Sequence, residues 1–132
     1  MAAAQHSPTV TPFSDLMGVE IVVRETGRVV GRLLAREDLC TSGHILHGGA
    51  YMAFADTLGA VGAVLNLAAG TRTTTLESKT NFFRGAAVGS TITGEATPLH
   101  VGRRSSVWQT RITNDQGKLM ALVTQTQMTL EA

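Results

Sequence analysis

Asp56 is the one charged residue in the stretch His47–Thr71, HGGAYMAFADTLGAVGAVLNLAAGT. The remainder is apolar, small or neutral, and a helix that is apolar on all sides is normally buried on all sides. An ionised carboxylate there is costly unless it has a partner or opens to a cleft. The plain alternative for Asp56 is a packing carboxylate paired with a buried donor. The chemical one is a working group: a nucleophile towards a carbonyl, or a general base for water. His47-Gly48-Gly49 at the start of the stretch supplies a second element. The first N–H groups of a helix lack intrahelical partners and carry the positive end of its dipole. Glycine lets a substrate carbonyl come close, so the Gly48 N–H is a candidate oxyanion donor. Asp56 follows Gly48 by eight residues, about 12 Å along a helix. One carbonyl cannot easily be served by both ends of that span. The geometry asks for Gly48 from one subunit and Asp56 from its neighbour. His47 is expected to orient the loop through a backbone hydrogen bond rather than to carry a proton.

These groups need elements to hold them. Thr11-Pro12 followed by FSDLM and Gly18 predicts a short helical turn with Thr as cap, Pro at the first position and Gly as stop. Val19–Arg24 and Arg28–Ala35 read as strands around the turn Glu25-Thr26-Gly27. Arg36–Leu46 has no period and is expected to be a loop. The helix is expected from Gly48 to about Leu67, ended by Ala69-Gly70. Gly59 and Gly62 weaken it by about 1 kcal/mol each, which suggests another backbone packed close to that face. From Arg72 the period becomes two, with Leu76, Ser78, Thr80 and Phe82 on one face of a strand reaching Arg84. Ser90–His100, with Pro98 marking an edge or bulge, Ser105–Thr113 and Lys118–Leu130 complete a four-strand antiparallel meander. Trp108, Thr110 and Ile112 share one face of the third strand; Met120, Leu122, Thr124, Thr126, Met128 and Leu130 share one face of the last.

Composition narrows the function classes. The 132 residues fit one domain, read as 12–132 after a flexible lead-in at 1–11 that lacks the features of a secretory signal. A net charge of +1 gives no electrostatic reason to expect a nucleic-acid partner. Cys40 is the only cysteine, so no intramolecular disulfide or thiolate cluster forms, in keeping with a cytoplasmic setting. No metal site is expected, because His6, His44, His47 and His100 form no ligand-spaced set with carboxylates. Residues 48–69 are long enough to span a bilayer, but Asp56 in mid-span argues against membrane insertion. A lone apolar helix instead needs a curled sheet around it and a second molecule over what the sheet leaves bare.

The chain resembles the hotdog-fold acyl-CoA thioesterases, the branch with 4-hydroxybenzoyl-CoA, PaaI-like and 1,4-dihydroxy-2-naphthoyl-CoA thioesterases. The resemblance runs from about Pro12 to Leu130. Its most specific part is LHGG at Leu46–Gly49 with an acid nine positions after His47, in the local sequence ADTLG. TLESKTNFFRGA and GEATPLHVGRR, ahead of an aromatic-bearing strand, resemble the same branch. The resemblance implies an α+β hotdog fold, one long central helix wrapped by a curved antiparallel sheet. It also implies hydrolysis of an acyl-CoA, aryl or medium-length, to free acid and CoA. No separate cofactor is expected, since CoA is part of the substrate. Self-association is expected as a homodimer, and as a dimer of dimers, a homotetramer.

The implied catalytic set is Asp56, Gly48, His47, Gly49 and Thr41. Thr41 stands six positions before His47, where these thioesterases often place Gln or Asn; Ala60 stands four after the acid, where many carry Ser or Thr. Thr74 and Thr75 resemble the polar position used by the PaaI-like branch. Coenzyme phosphates need cations, and arginine suits bidentate contact, so Arg84, Arg103 and Arg104 with His100 are the binding candidates. Tyr51, Phe54, Phe82 and Phe83 would line an acyl pocket or pack in the core. Two other readings stand beside hydrolysis: a non-catalytic acyl-CoA-binding hotdog acting as sensor or interaction module, and a hydratase, whose His/Asp pattern is absent.

Overall fold

The computed structural model describes residues 11–131. The lead-in expected at 1–11 and His6 therefore lie outside the described residues, apart from Thr11. Helix α1 spans Pro12–Met17; Thr11 Oγ1 caps it by accepting from the Ser14 N–H, and Gly18 ends it at φ 87°. Strands β1 (Glu20–Glu25) and β2 (Arg28–Leu34) form a hairpin, a 3₁₀ turn follows at Glu37–Leu39, and helix α2 runs Gly48–Leu65. Strands β3 (Thr71–Phe82), β4 (Thr91–Val101), β5 (Ser105–Thr113) and β6 (Leu119–Glu131) complete the chain. The six strands make one antiparallel sheet, curved around α2, in the order β1-β2-β4-β5-β6-β3. This is the expected α+β hotdog arrangement.

The order corrects one expectation. β3 does not begin a four-strand meander: it pairs with β6 at one edge, and β2 takes the place beside β4. The turn after Arg84 carries the chain across the sheet, tied by the bridge Ile45↔Ala87 to the loop before α2, a loop itself closed by the bridge Cys40↔Leu46. The helix also ends two residues early. Asn66 Nδ2 donates to the Gly62 carbonyl at 2.9 Å and the Thr26 carbonyl at 2.8 Å, which stops the helix and pins it to the β1–β2 turn.

Phe54 and Leu58 are fully buried on the sheet side of α2. Gly31 and Gly94 pair across β2 and β4 and leave a slot for Leu58: a Cβ at either would come within 2.7 or 2.6 Å of its methyl groups. Gly59 and Gly62 were expected to face another backbone, but they face side chains of the sheet. A Cβ at Gly59 would overlap the Gln125 amide, and one at Gly62 would stand 2.6 Å from the Trp108 ring. By length and composition α2 could cross a membrane, yet its inner face is packed on the sheet and half of its residues are buried.

Four strand pairings carry a register shift, β1–β2, β3–β6, β4–β5 and β5–β6, and two of these fall beside residues named above. In β3 a bulge between Thr75 and Glu77 leaves Leu76 60% exposed, and the partly buried positions are Thr71, Thr73 and Thr75 before it, Ser78 and Thr80 after it. In β4 a bulge lies between Pro98 and His100, just beyond the last residue paired to β2, so Pro98 sits where its missing N–H removes no bond to β2. In β6 the face towards α2 is Ala121, Val123, Gln125 and Gln127; Leu122, Thr124 and Thr126 are on the other.

Candidate active site

Helix α2 leaves one stripe uncovered in the single chain: Met52 and Val64 are exposed, and Asp56 between them is half-buried. Asp56 is held from the sheet. Thr75 Oγ1 donates to its Oδ1 at 2.6 Å, and Gln125 Nε2 donates to the same oxygen at 3.1 Å. Among the described residues none bonds Oδ2. Asp56 lines a cleft of about 180 Å³ with Phe13, Ala53, Thr57 and Ala60. α1 forms the wall of that cleft. The Thr57 hydroxyl spends its proton on the Ala53 carbonyl, so Ser14 must donate to Thr57 across 2.8 Å, docking α1 on α2.

The start of α2 is built separately. His47 Nδ1 accepts from the Gly49 N–H at 2.8 Å and so caps the helix; its other ring nitrogen is the one left to carry a proton. The Gly48 N–H has no partner among the described residues. The Phe82 ring lies 3.3 Å from where a Gly48 Cβ would stand, and it meets Tyr51 edge-on with ring centroids 5.7 Å apart. Gly48 and Thr41 line a cleft of about 360 Å³ with Phe82, Phe83 and Arg84. The Thr41 hydroxyl accepts from the Gly43 N–H at 3.1 Å. Tyr51 closes the floor: its hydroxyl donates to the Arg84 carbonyl at 3.1 Å. Burial raises the Tyr51 pKa above its ordinary value, partly offset by backbone hydrogen bonding at Ala86.

The structure thus brings Thr41, Gly48 and Arg84 to one cleft and places Asp56, bonded to Thr75, on another along the same helix. Thr74, next in sequence, is exposed on the opposite side of β3. Arg103, Arg104 and His100 gather at the β4–β5 turn, all exposed. That turn lies at the other end of the sheet from Arg84: Ser105 stands opposite Met128, and Met128 opposite Thr74, whereas Arg84 follows Phe82, which pairs with Ala121. Phe54 belongs to the core rather than to a pocket. Among the described residues no three His, Cys, Asp or Glu side chains converge as a metal site would require.

Sequence reasoning missed Gln125 and Gln127. Both are 1% exposed on β6, and they join Asp56 to β3. A signal was available: two glutamines two apart in a strand share a face, and buried amides need partners.

Comparison with known proteins agrees with this frame. Over 110 residues the chain is 28% identical to the 1,4-dihydroxy-2-naphthoyl-CoA hydrolase of Listeria monocytogenes, covering 83% of this chain and 89% of that one. It is 36% identical over 75 residues to the Escherichia coli protein of the same name, covering 57% of this chain and 54% of that protein. For the relatives at 35–37% identity, the match spans about half their length, 51–55%. The crystal structure of S. sahachiroi AziG superposes with a TM-score of 0.88 at 26% identity, covering 93% of this chain and 99% of that one. Residues 43–121, from the loop before α2 into β6, match the family model described as Thioesterase superfamily. The chain belongs to the thioesterase superfamily.

Proposed function

We propose that the protein hydrolyses an acyl-CoA thioester, with an aryl or medium-length acyl group, to the free acid and CoA. The observation that carries this reading is Asp56: a carboxylate held through one oxygen by Thr75 and Gln125, on a residue that lines a cleft along an otherwise apolar helix face. In the general-base route Oδ2 removes a proton from water, and the oxygen of that water bonds to the thioester carbon. The C–S bond then breaks and the CoA sulfur leaves with the electron pair. In the nucleophilic route Oδ2 itself bonds to the carbon and CoA leaves; water then cleaves the mixed anhydride. Both routes place negative charge on the carbonyl oxygen, and the Gly48 N–H is the group that would receive it.

Gly48 and Asp56 lie on different clefts of one chain, so this chemistry is assigned to a homodimer, each site taking Gly48 from one subunit and Asp56 from the other. The uncovered α2 stripe and the free edge of β3 are the surfaces available to a second copy. Arg84, Arg103, Arg104 and His100 are the proposed coenzyme contacts, divided between subunits because one chain holds them at opposite ends of its sheet. A cytoplasmic setting suits the single thiol of Cys40.

The test is thiol release from a panel of aryl and alkyl acyl-CoAs, with Asp56→Asn in parallel. Release by the wild type and its loss in the variant are expected. Saturable acyl-CoA binding without release by the wild type would favour the non-catalytic reading instead.

A further inference from the structure

We propose that Thr73, Gln127 and Gln125 form a one-way hydrogen-bond chain, anchored on a backbone carbonyl, that fixes how Asp56 is presented. It rests on the hydrolase reading for its purpose, and on geometry alone for its existence. The chain starts at the Met128 carbonyl, which can only accept. Thr73 spends its hydroxyl proton there, at 3.0 Å. Its oxygen can then only accept further, and it accepts from Gln127 Nε2 at 3.0 Å. That turns Gln127 Oε1 inward, where Gln125 Nε2 donates to it at 2.9 Å. The second N–H of the same Gln125 nitrogen goes to Asp56 Oδ1 at 3.1 Å, with the Asp56 backbone carbonyl a longer 3.4 Å away. Thr75 Oγ1 stands 2.7 Å from Gln127 Oε1 and 2.6 Å from Asp56 Oδ1, with one proton for two acceptors. Because Gln125 already serves Gln127 Oε1, that proton is free for Asp56. Thr73, Gln127 and Gln125 are positioning residues: two donors converge on Oδ1, and neither is spent on Oδ2.

Reversing the chain shows why direction matters. Were Gln127 to turn over, its Nε2 would face the Nε2 of Gln125, donor against donor. Gln125 would then have to turn as well and set its Oε1 against a carboxylate oxygen. The carboxylate, which can only accept, opposes this from one end, and the Thr73 bond to a carbonyl that cannot donate opposes it from the other. The arrangement has a cost elsewhere: Gln125 Oε1 is buried without a partner. The fold also makes room for it at Gly59, where any Cβ would overlap the Gln125 amide. A glycine that weakens the helix, beside an amide with an unpaired oxygen, is hard to explain as packing and follows directly from a need for donors at Asp56.

Thr73→Val keeps shape and loses the anchor; Thr73→Ser keeps the hydroxyl. Thiol release should show kcat lowered about tenfold or more in Thr73→Val, because Gln125, released from its orientation, no longer holds its N–H on the Asp56 carboxylate. KM should be little changed, the melting temperature retained, and most of the rate restored in Thr73→Ser. The second arm needs no turnover: the Gln125 side-chain amide signals in a ¹H–¹⁵N spectrum, identified by their absence in Gln125→Leu. They should move in Asp56→Ala and equally in Thr73→Val, although Thr73 forms no hydrogen bond with Gln125, and stay in place in Thr73→Ser. Gln125 signals unmoved by Thr73→Val overturn the proposal, as does a wild-type rate in that variant. A wild type that releases no thiol from any acyl-CoA sinks the hydrolase reading alone, and the amide signals still decide the chain.

Discussion

Thr75 Oγ1 reaches Asp56 Oδ1 across 2.6 Å, joining the edge strand β3 to the middle of α2. A carboxylate gripped by a hydroxyl from one element while it sits on another is oriented by the tertiary fold, not by its own helix. Removing the carboxylate and removing the grip should therefore differ in degree. Asp56→Asn is expected to lower kcat for thiol release about 10²–10⁴-fold, the range of a lost acid–base group. Thr75→Val should lower it about tenfold, with Thr75→Ser close to wild type. Equal rates in wild type and Asp56→Asn would remove Asp56 from the mechanism.

Gly48→Ala tests the other half of the site. The new methyl would stand 3.3 Å from the Phe82 ring, which is half exposed and can move aside. Folding should survive with a stability change of less than about 1 kcal/mol. A carbonyl approaching the Gly48 N–H would now meet that methyl, so kcat/KM should fall about tenfold or more. Unchanged kcat/KM in a folded Gly48→Ala protein would place the oxyanion donor elsewhere.

Gly62→Ala probes packing alone. Alanine is worth about 1 kcal/mol to the helix, but its Cβ would lie 2.6 Å from the ring of Trp108, which is 0% exposed. Trp108 is held at Nε1 by Ser106 Oγ at 3.0 Å and cannot easily withdraw. Overpacking costs about 1–3 kcal/mol, so net destabilisation is expected in a urea titration despite the better helix former. A stabilised variant would show that the ring has space to shift.

Tyr51 is the only tyrosine, so its ionisation can be followed by absorbance. Burial raises its folded pKa, which means the unfolded chain ionises first, near the ordinary value of about 10. The stabilisation linked to it is fully present below that pH and is lost as pH rises towards the folded value. Denaturation midpoints measured from pH 8 to pH 11 should fall more steeply in wild type than in Tyr51→Phe. Parallel curves would remove Tyr51 as the cause.

Much of the fold was legible because its signals are local. The Thr11 cap, the lone acid in α2 and the bulge at Pro98 each follow from residue type and neighbours. The sheet order was not, since nothing within β3 says that β6, not β4, will lie beside it. The inner face of β6 was hidden for a different reason. Gln125 and Gln127 make the buried face look polar, while Leu122 and Leu130 make the opposite face look apolar. Polarity inside a sheet becomes sensible only when its partner is known, and the partner, Asp56, lies 69 residues away from Gln125 in the chain. Thr75 rather than Thr74 was likewise beyond reach, because the bulge at Leu76 decides which of them turns inward.

That bulge reconciles two demands that a regular strand could not meet together. Thr75 must face the helix to reach Asp56, and Phe82 must face it to lie over Gly48. They are seven positions apart, and in a strand an odd separation puts two side chains on opposite sides. Leu76 supplies the extra half-step, turned out to solvent, so that both ends of β3 address the same helix. The strand works as two rulers spliced out of phase, one measured from the carboxylate and one from the glycine. Losing the splice would leave one of the two always facing away.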